Sequence, residues 1–225
     1  MPTATRQALL DRALDRIRRN ADLFGGRFPT VGQGDTYLLS DNDNWLAAFW
    51  TGLLWLAYAA TGDEAFRSHA EALRPSFARR LADQVHITHD LGFLYTLSAR
   101  AEWQLTGSED ARRLALEAAA QLAARYRPVG RYIQAWGPVG DPDEGGRIII
   151  DTLMNLPLLF WAAAQTGDAG FHRFACDHAD CAAAHLVRED ASTAHTCLFD
   201  QDTGALLGVR THQGYADDSM WARGQ

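Results

Sequence analysis

The sequence predicts an all-α protein, an α/α toroid of helical hairpins. Two observations carry the prediction. The stretches WLAYAATGDEAFRSHAEAL, AEWQLTGSEDARRLALEAAAQL and FWAAAQTGDAGFHRFACDHADCAAAHL share one design: an apolar helix, a Thr-Gly turn, then a more charged helix. Repeated αα-hairpins with short turns stack into layered helical architectures. The two helix types also sort by layer, because a helix that is apolar almost all round expects burial and one with a charged face expects solvent.

Taken in order, residues 4–20 read as a first outer helix and 45–60 as the first inner one. Residues 63–82, 108–126 and 168–187 are outer helices with charged faces. Residues 90–105 and 151–165 are inner helices, and 217–225 begin a fourth. Gly62, Gly107 and Gly167 suit the left-handed residue that closes a helix. Asp63, Ser108 and Asp168, one position later, suit the N-cap of the next. Residues 127–147 hold five glycines and three prolines in 21 positions, so they form a loop. Long loops in compact domains are more often functional than idle.

Composition removes several function classes. The net charge is −7 with no basic stripe, so nucleic acid is not an expected partner. All 21 basic residues are arginine, which excludes a lysine Schiff base and a Walker-type phosphate loop. No run approaches the roughly 20 apolar residues of a membrane span, so no membrane partner is expected. Cys176, Cys181 and Cys197 lack a Cys-x-x-Cys pair and fit a reducing compartment, so a cytoplasmic location is expected.

Hairpin connections bring the starts of the inner helices to one rim. Those starts carry Asp43-Asn44-Trp45, His89-Asp90, Asp151 and Asp217-Asp218. Each aspartate alone reads as an N-cap. Together, with aromatic and imidazole neighbours, they describe an acidic mouth for an uncharged, polyhydroxylated ligand such as a carbohydrate. Trp50, Trp55, Trp103 and Trp161 lie within helices and read as core. Trp45, Trp136 and Trp221 can offer a ring face to a sugar. His89, His195 and His212 fall near the mouth, whereas His172, His178 and His185 read as surface or half-buried residues of an outer helix. Cys181 and His185 share a helix face, but no further ligand converges there, so no metal is expected.

At these residues the chain resembles the unsaturated glucuronyl hydrolases, glycoside hydrolase family eighty-eight. The matching stretches are Asn44-Trp45 with Phe49-Trp50-Thr51-Gly52, then Thr88-His89-Asp90-Leu91-Gly92-Phe93 and Gln134-Ala135-Trp136. They continue with Ile149-Ile150-Asp151-Thr152-Leu153-Met154-Asn155-Leu156, Thr211-His212-Gln213-Gly214-Tyr215-Ala216-Asp217-Asp218-Ser219 and Trp221-Ala222-Arg223-Gly224-Gln225. The resemblance implies a six-hairpin toroid, no cofactor, and removal of a 4,5-unsaturated uronic acid from lyase-generated oligosaccharides by hydration of its vinyl ether. It implies Asp151 as general acid and then base, with Asp90 as the second carboxylate. Trp45, His89, Trp136, His195, Gln213 and Arg223 would meet the substrate or water. It also implies that residues 1–225 form a single catalytic domain cut short at the C-terminus, since a closed toroid needs more hairpins.

An unsaturated rhamnogalacturonyl hydrolase is the nearest rival, and a non-catalytic helical-repeat binding module is a rival of another class. The Ile-Ile-Asp-Thr-Leu-Met-Asn-Leu run favours the glucuronyl family. Acids gathered at inner-helix starts argue against the binding module. One physical constraint follows: Asp151 must be protonated part of the time near neutrality, so its pKa must exceed the ordinary ~3.9.

Overall fold

The structure, a computed structural model, describes residues 3–220. Trp221 and Arg223 lie outside the described residues. The chain is mostly helical. It divides into two compact units: one runs up to His86 and includes Leu94–Leu114, the other comprises Ile87–Phe93 and the chain from Ala115 on. No helix among the described residues is long and apolar enough to cross a membrane.

In the first unit, α1 (Thr3–Phe24) leads into a hairpin of β1 (Phe28–Gln33) and β2 (Thr36–Ser40). Helices α2 (Ala47–Thr61) and α3 (Glu64–Ala82) then pack together. The turn chemistry is as expected. Gly62, Gly107 and Gly167 close their helices with φ of 69°, 74° and 76°. Asp63 accepts from Ala65 N, Ser108 from Ala111 N and Asp168 from Gly170 N, which caps the following helices.

Burial of the inner helices differs from expectation. Helix α2 buries Trp50, Leu54, Trp55 and Ala57 but leaves Phe49, Leu53 and Leu56 exposed. These three share one face at i, i+4, i+7 spacing, and that face stays open to solvent over much of its area. A helix apolar all round has two faces to bury, and here one is buried.

The predicted helix 90–105 is segmented. Helix α4 (Leu91–Tyr95) passes through a π-helical turn at Thr96–Arg100 into α5 (Ala101–Thr106). Within that stretch Ser98 Oγ donates to Leu94 O at 2.6 Å, a side-chain bond that competes with the regular ladder. Helix α6 (Glu109–Ala123) follows.

The second unit adds strands that periodicity did not reveal. Strands β3 (Tyr126–Arg127) and β4 (Tyr132–Ile133) pair where the end of the predicted helix 108–126 and the predicted loop were expected. Strands β5 (Arg147–Ile149), β6 (Thr196–Phe199) and β7 (Leu206–Arg210) form an antiparallel sheet in that order. The predicted inner helix at 151–165 starts as a 3-10 segment, Ile150–Asn155, before α7 (Leu156–Thr166). Pro157 explains the change: it has no N–H to give to the carbonyl four residues earlier, so the α-helical ladder cannot extend back across it. Helix α8 (Ala169–Leu186) packs on α7 and on the 3-10 segment.

The helix expected from residue 217 is absent through Met220. Asp217 instead closes a loop by accepting from Thr211 N at 2.8 Å, and Ser219 Oγ donates to Ala216 O. Local side-chain bonds of this kind satisfy the backbone groups that a helix would otherwise use.

Candidate active site

His89, Asp90 and Asp151 meet in the second unit. His89 Nε2 lies 3.2 Å from Asp90 Oδ1 and 3.5 Å from Asp151 Oδ1. The expectation of two neighbouring carboxylates holds, with one addition: the imidazole stands between them. Backbone cross-links set this up. His89 N donates to Ala135 O, and Ala135 N donates to Arg147 O, so the 127–147 loop and β5 carry the His89 segment. Ile150 N donates to His195 O, and Ile149 pairs with Thr196, which fixes the start of the 3-10 segment against β6.

Gly92 permits the close approach of the two acid-bearing segments. A Cβ there would lie 2.2 Å from Asn155 Cα and 2.3 Å from Asn155 O. Asn155 Oδ1 accepts from Phe93 N at 3.0 Å, which ties the far end of the 3-10 segment to α4.

Arg125, which the sequence reading did not single out, is the principal brace. It is buried. Its Nε donates to Gln134 O, Nη1 to Ile87 O and Nη2 to Gly137 O. One guanidinium thus joins the backbone before His89 to the loop on either side of Trp136. Burial pushes its pKa down to about 10, with Asp90 opposing the shift. The hairpin repeat held a signal for it. Arg80 stands at the same offset after Gly62 as Arg125 does after Gly107, and Arg80 likewise donates to Asn44 O and His86 O. Arg125→Lys keeps the charge but loses the fork that reaches three carbonyls. We expect it to cost about 2–4 kcal/mol of stability, from carbonyls left unpaired. A denaturant midpoint equal to that of the parent would refute the bracing role.

The titratable groups are strongly coupled. Burial raises the pKa of Asp151, His89 lowers it, and Asp90 raises it again, with a net upward shift. Asp151 Oδ1 is buried without a hydrogen-bond partner among the described residues, whereas the carboxylate as a whole is partly open. Burial alone would lower His89, but Asp90 and Asp151 together outweigh it and its pKa is raised. Asp90 is further held by Thr88, whose Oγ1 donates to Asp90 Oδ2 at 2.9 Å.

The atoms of His89, Asp90 and Asp151 lie within 4.8 Å of one another, a spacing that a cation could also span. The hydrogen-bond pattern favours a different use. Thr152 Oγ1 lies 3.5 Å from His89 Nδ1, and a hydroxyl donating there leaves the proton on Nε2, which then faces the carboxylates and cannot ligate.

The remaining predicted residues divide. Trp136 meets His212 edge-on at 5.1 Å, with the Arg147 guanidinium 5.2 Å from its ring. His195 is buried and its Nδ1 accepts from His212 N at 2.9 Å. Trp136, His195 and His212 therefore form a corner joined by backbone bonds to His89 and Ile150. Gln213 is exposed on the 211–220 loop. Trp45 belongs to the first unit, exposed, with Phe49 edge-on at 6.0 Å. Arg223 lies outside the described residues. One expectation is overturned: His178 is not a surface or half-buried residue but is 1% exposed. It sits on the face of α8 turned to the 3-10 segment, where its ring nitrogens bond Ile133 N and Thr152 Oγ1.

No family model matches the chain. Similarity to individual proteins is extensive. The chain is 50% identical over 221 residues to an unsaturated glucuronyl hydrolase of Bacillus sp. (strain GL1), covering 97% of this chain and 59% of that protein. It is 46% identical to an unsaturated chondroitin disaccharide hydrolase of Streptococcus pyogenes serotype M1, over 96% of this chain and 54% of the relative. The crystal structure of unsaturated glucuronyl hydrolase from Bacillus sp. GL1, described as responsible for the degradation of glycosaminoglycan, matches with a TM-score of 0.94. Identity there is 49%, over 97% of this chain and 58% of that one. The chain thus spans between half and three-fifths of the length of the curated relatives it matches. Along nearly all of its own length, in sequence and in backbone, the chain is a homologue of the unsaturated glucuronyl hydrolases.

Proposed function

We propose that this chain carries the catalytic carboxylates of a hydrolase that removes a 4,5-unsaturated uronic acid from the non-reducing end of lyase-generated oligosaccharides. The observation that carries the reading is the state of Asp151. Its pKa is raised and its carboxylate is partly open, beside an imidazole shared with Asp90. An upward shift favours the protonated carboxylic acid, the form that can protonate C4 of a vinyl ether. Positive charge then develops at C5, the Asp151 carboxylate accepts a proton from water, and that water adds to C5. The hemiketal collapses and releases the remaining sugar. The separation rule for retaining and inverting glycosidases has no bearing, because the anomeric carbon is not attacked.

Asp90 and His89 set the charge around Asp151. Trp136 supplies a ring face, and the resemblance assigns His195 a contact with substrate or water. The resemblance extends substrate contacts to Trp45, Gln213 and Arg223. It also supports a six-hairpin α/α toroid as the architecture of the whole protein, acting as one catalytic domain. The names of the relatives point to unsaturated glycosaminoglycan disaccharides.

The unsaturated uronate absorbs in the ultraviolet, and hydration destroys that absorbance. Incubation of the whole protein with unsaturated disaccharides from chondroitin, hyaluronan, heparin and gellan should bleach at least one of them. Unchanged absorbance with measurable binding would instead establish a carbohydrate-binding module.

A further inference from the structure

The buried histidine of α8 has a use that the hydrolase reading leaves unassigned. His178 Nδ1 accepts the backbone N–H of Ile133 at 2.9 Å. A nitrogen that accepts cannot carry a proton, so the neutral ring carries its proton on Nε2. That nitrogen bonds Thr152 Oγ1. Burial, with His89 adding to it, lowers the His178 pKa to about 3, so the ring stays neutral through the working range.

His178 Nε2 is therefore a donor, and it donates to Thr152 Oγ1. Thr152 is fully buried, and among the described residues the acceptor within reach of its hydroxyl proton is His89 Nδ1, at 3.5 Å. The chain of bonds runs in one direction, from Ile133 N through His178 and Thr152 to His89. It ends with His89 Nε2–H between Asp90 and Asp151.

We propose that His178 is a positioning residue of the site: acting through Thr152, it orients His89 so that the neutral form of the ring carries its proton on Nε2, facing the two carboxylates. The consequence is electrostatic. The groups facing His89 are the Asp90 and Asp151 carboxylates, which favour an imidazolium, and the Arg125 guanidinium, which opposes it. The relay from His178 adds a second opposition, because an imidazolium Nδ1–H would leave the buried Thr152 proton without an acceptor. A neutral His89 lowers Asp151 less than a charged one would, so Asp151 keeps its proton at higher pH. This consequence for catalysis rests on the hydrolase reading, whereas the proton positions do not.

Histidine 15N spectra of the chain read those positions directly. The neutral form of His89 is expected to be protonated at Nε2 and bare at Nδ1, and His178 is expected to stay neutral to low pH with its proton on Nε2. His178→Gln can accept as well as donate, which gives the Thr152 proton a second acceptor. Thr152→Val removes the link altogether. Each should raise the His89 pKa by roughly half to one unit, and Thr152→Ser should leave it unchanged. In turnover, the first two should shift the upper limb of the kcat–pH profile downward with KM little altered, since neither side chain is placed against substrate. Protonation of His89 at Nδ1 in the parent would overturn the proposal. So would an unchanged His89 pKa in folded His178→Gln and Thr152→Val. Absence of turnover in the whole protein, with the spectra as expected, would overturn the hydrolase reading and leave the relay standing.

Discussion

Asp151→Asn is expected to lower turnover at least ~10²-fold near neutral pH while the protein stays folded. The substitution keeps the shape of the side chain and removes the proton it delivers. It also removes a charge that the fold does not favour. Burial is the largest influence raising the Asp151 pKa, and Asp90 adds to it against His89. A carboxyl whose folded pKa exceeds its unfolded value destabilises the folded state once pH rises past the unfolded pKa, and the cost is fully present above the folded one. The asparagine variant should therefore be at least as stable as the parent at pH 7. That advantage should shrink as pH falls and vanish below ~3.8, where both forms are uncharged. Turnover and thermal melting against pH measure the two effects. Near-parental turnover would remove Asp151 from the chemistry, and a large loss of stability at pH 7 would mean that its charge is well paired.

The hairpin plan was legible because turn chemistry is local. A Thr-Gly-Asp or Thr-Gly-Ser sequence closes one helix and caps the next using atoms within a few residues. The acidic residues were legible for the same reason, since Asp90 and Asp151 each lie at the start of a helical segment. The long-range partners were not. Nothing near His178 announces that its ring reaches Ile133 and Thr152, because a histidine between Asp177 and Asp180 on an outer helix reads as a surface residue. The hairpin of β1 and β2 was within reach of the sequence: Gly34-Asp35 joins two β-prone runs, and Gly34 adopts a φ of 58°. The expected helix at 151–165 failed for a reason also written in the chain, Pro157. Its effect is to tighten the turn that carries Asp151, so the acid sits on a 3-10 segment.

Gly92→Ala should damage the site more broadly than any loss of a charged group. A Cβ at this position would lie 2.2 Å from Asn155 Cα, 2.3 Å from its O and 2.4 Å from its Cβ. Two of those three atoms are backbone, so no rotamer change relieves the contact. The α4 segment and the 3-10 segment must move apart. Asp90 precedes Gly92 closely on one of them and Asp151 shares the other with Asn155, so the movement widens the gap that His89 Nε2 bridges at 3.2 Å and 3.5 Å. It also strains the bond from Phe93 N to Asn155 Oδ1. Overpacking against rigid neighbours costs typically 1–3 kcal/mol and sometimes more, and we expect about 3 kcal/mol here. A displacement of about 1 Å between reacting groups costs roughly 10²-fold in rate. Gly52→Ala is the matched control, because its Cβ would meet only the Leu97 side chain, 3.3 Å away at the nearest atom. Relief needs only a few tenths of an ångström at Leu97 Cβ, and alanine is a better helix former than glycine inside α2, so the control should lose little stability and little activity. If Gly92→Ala matched the control in denaturant midpoint and in turnover, the close approach of these two segments would not be what holds the carboxylates together.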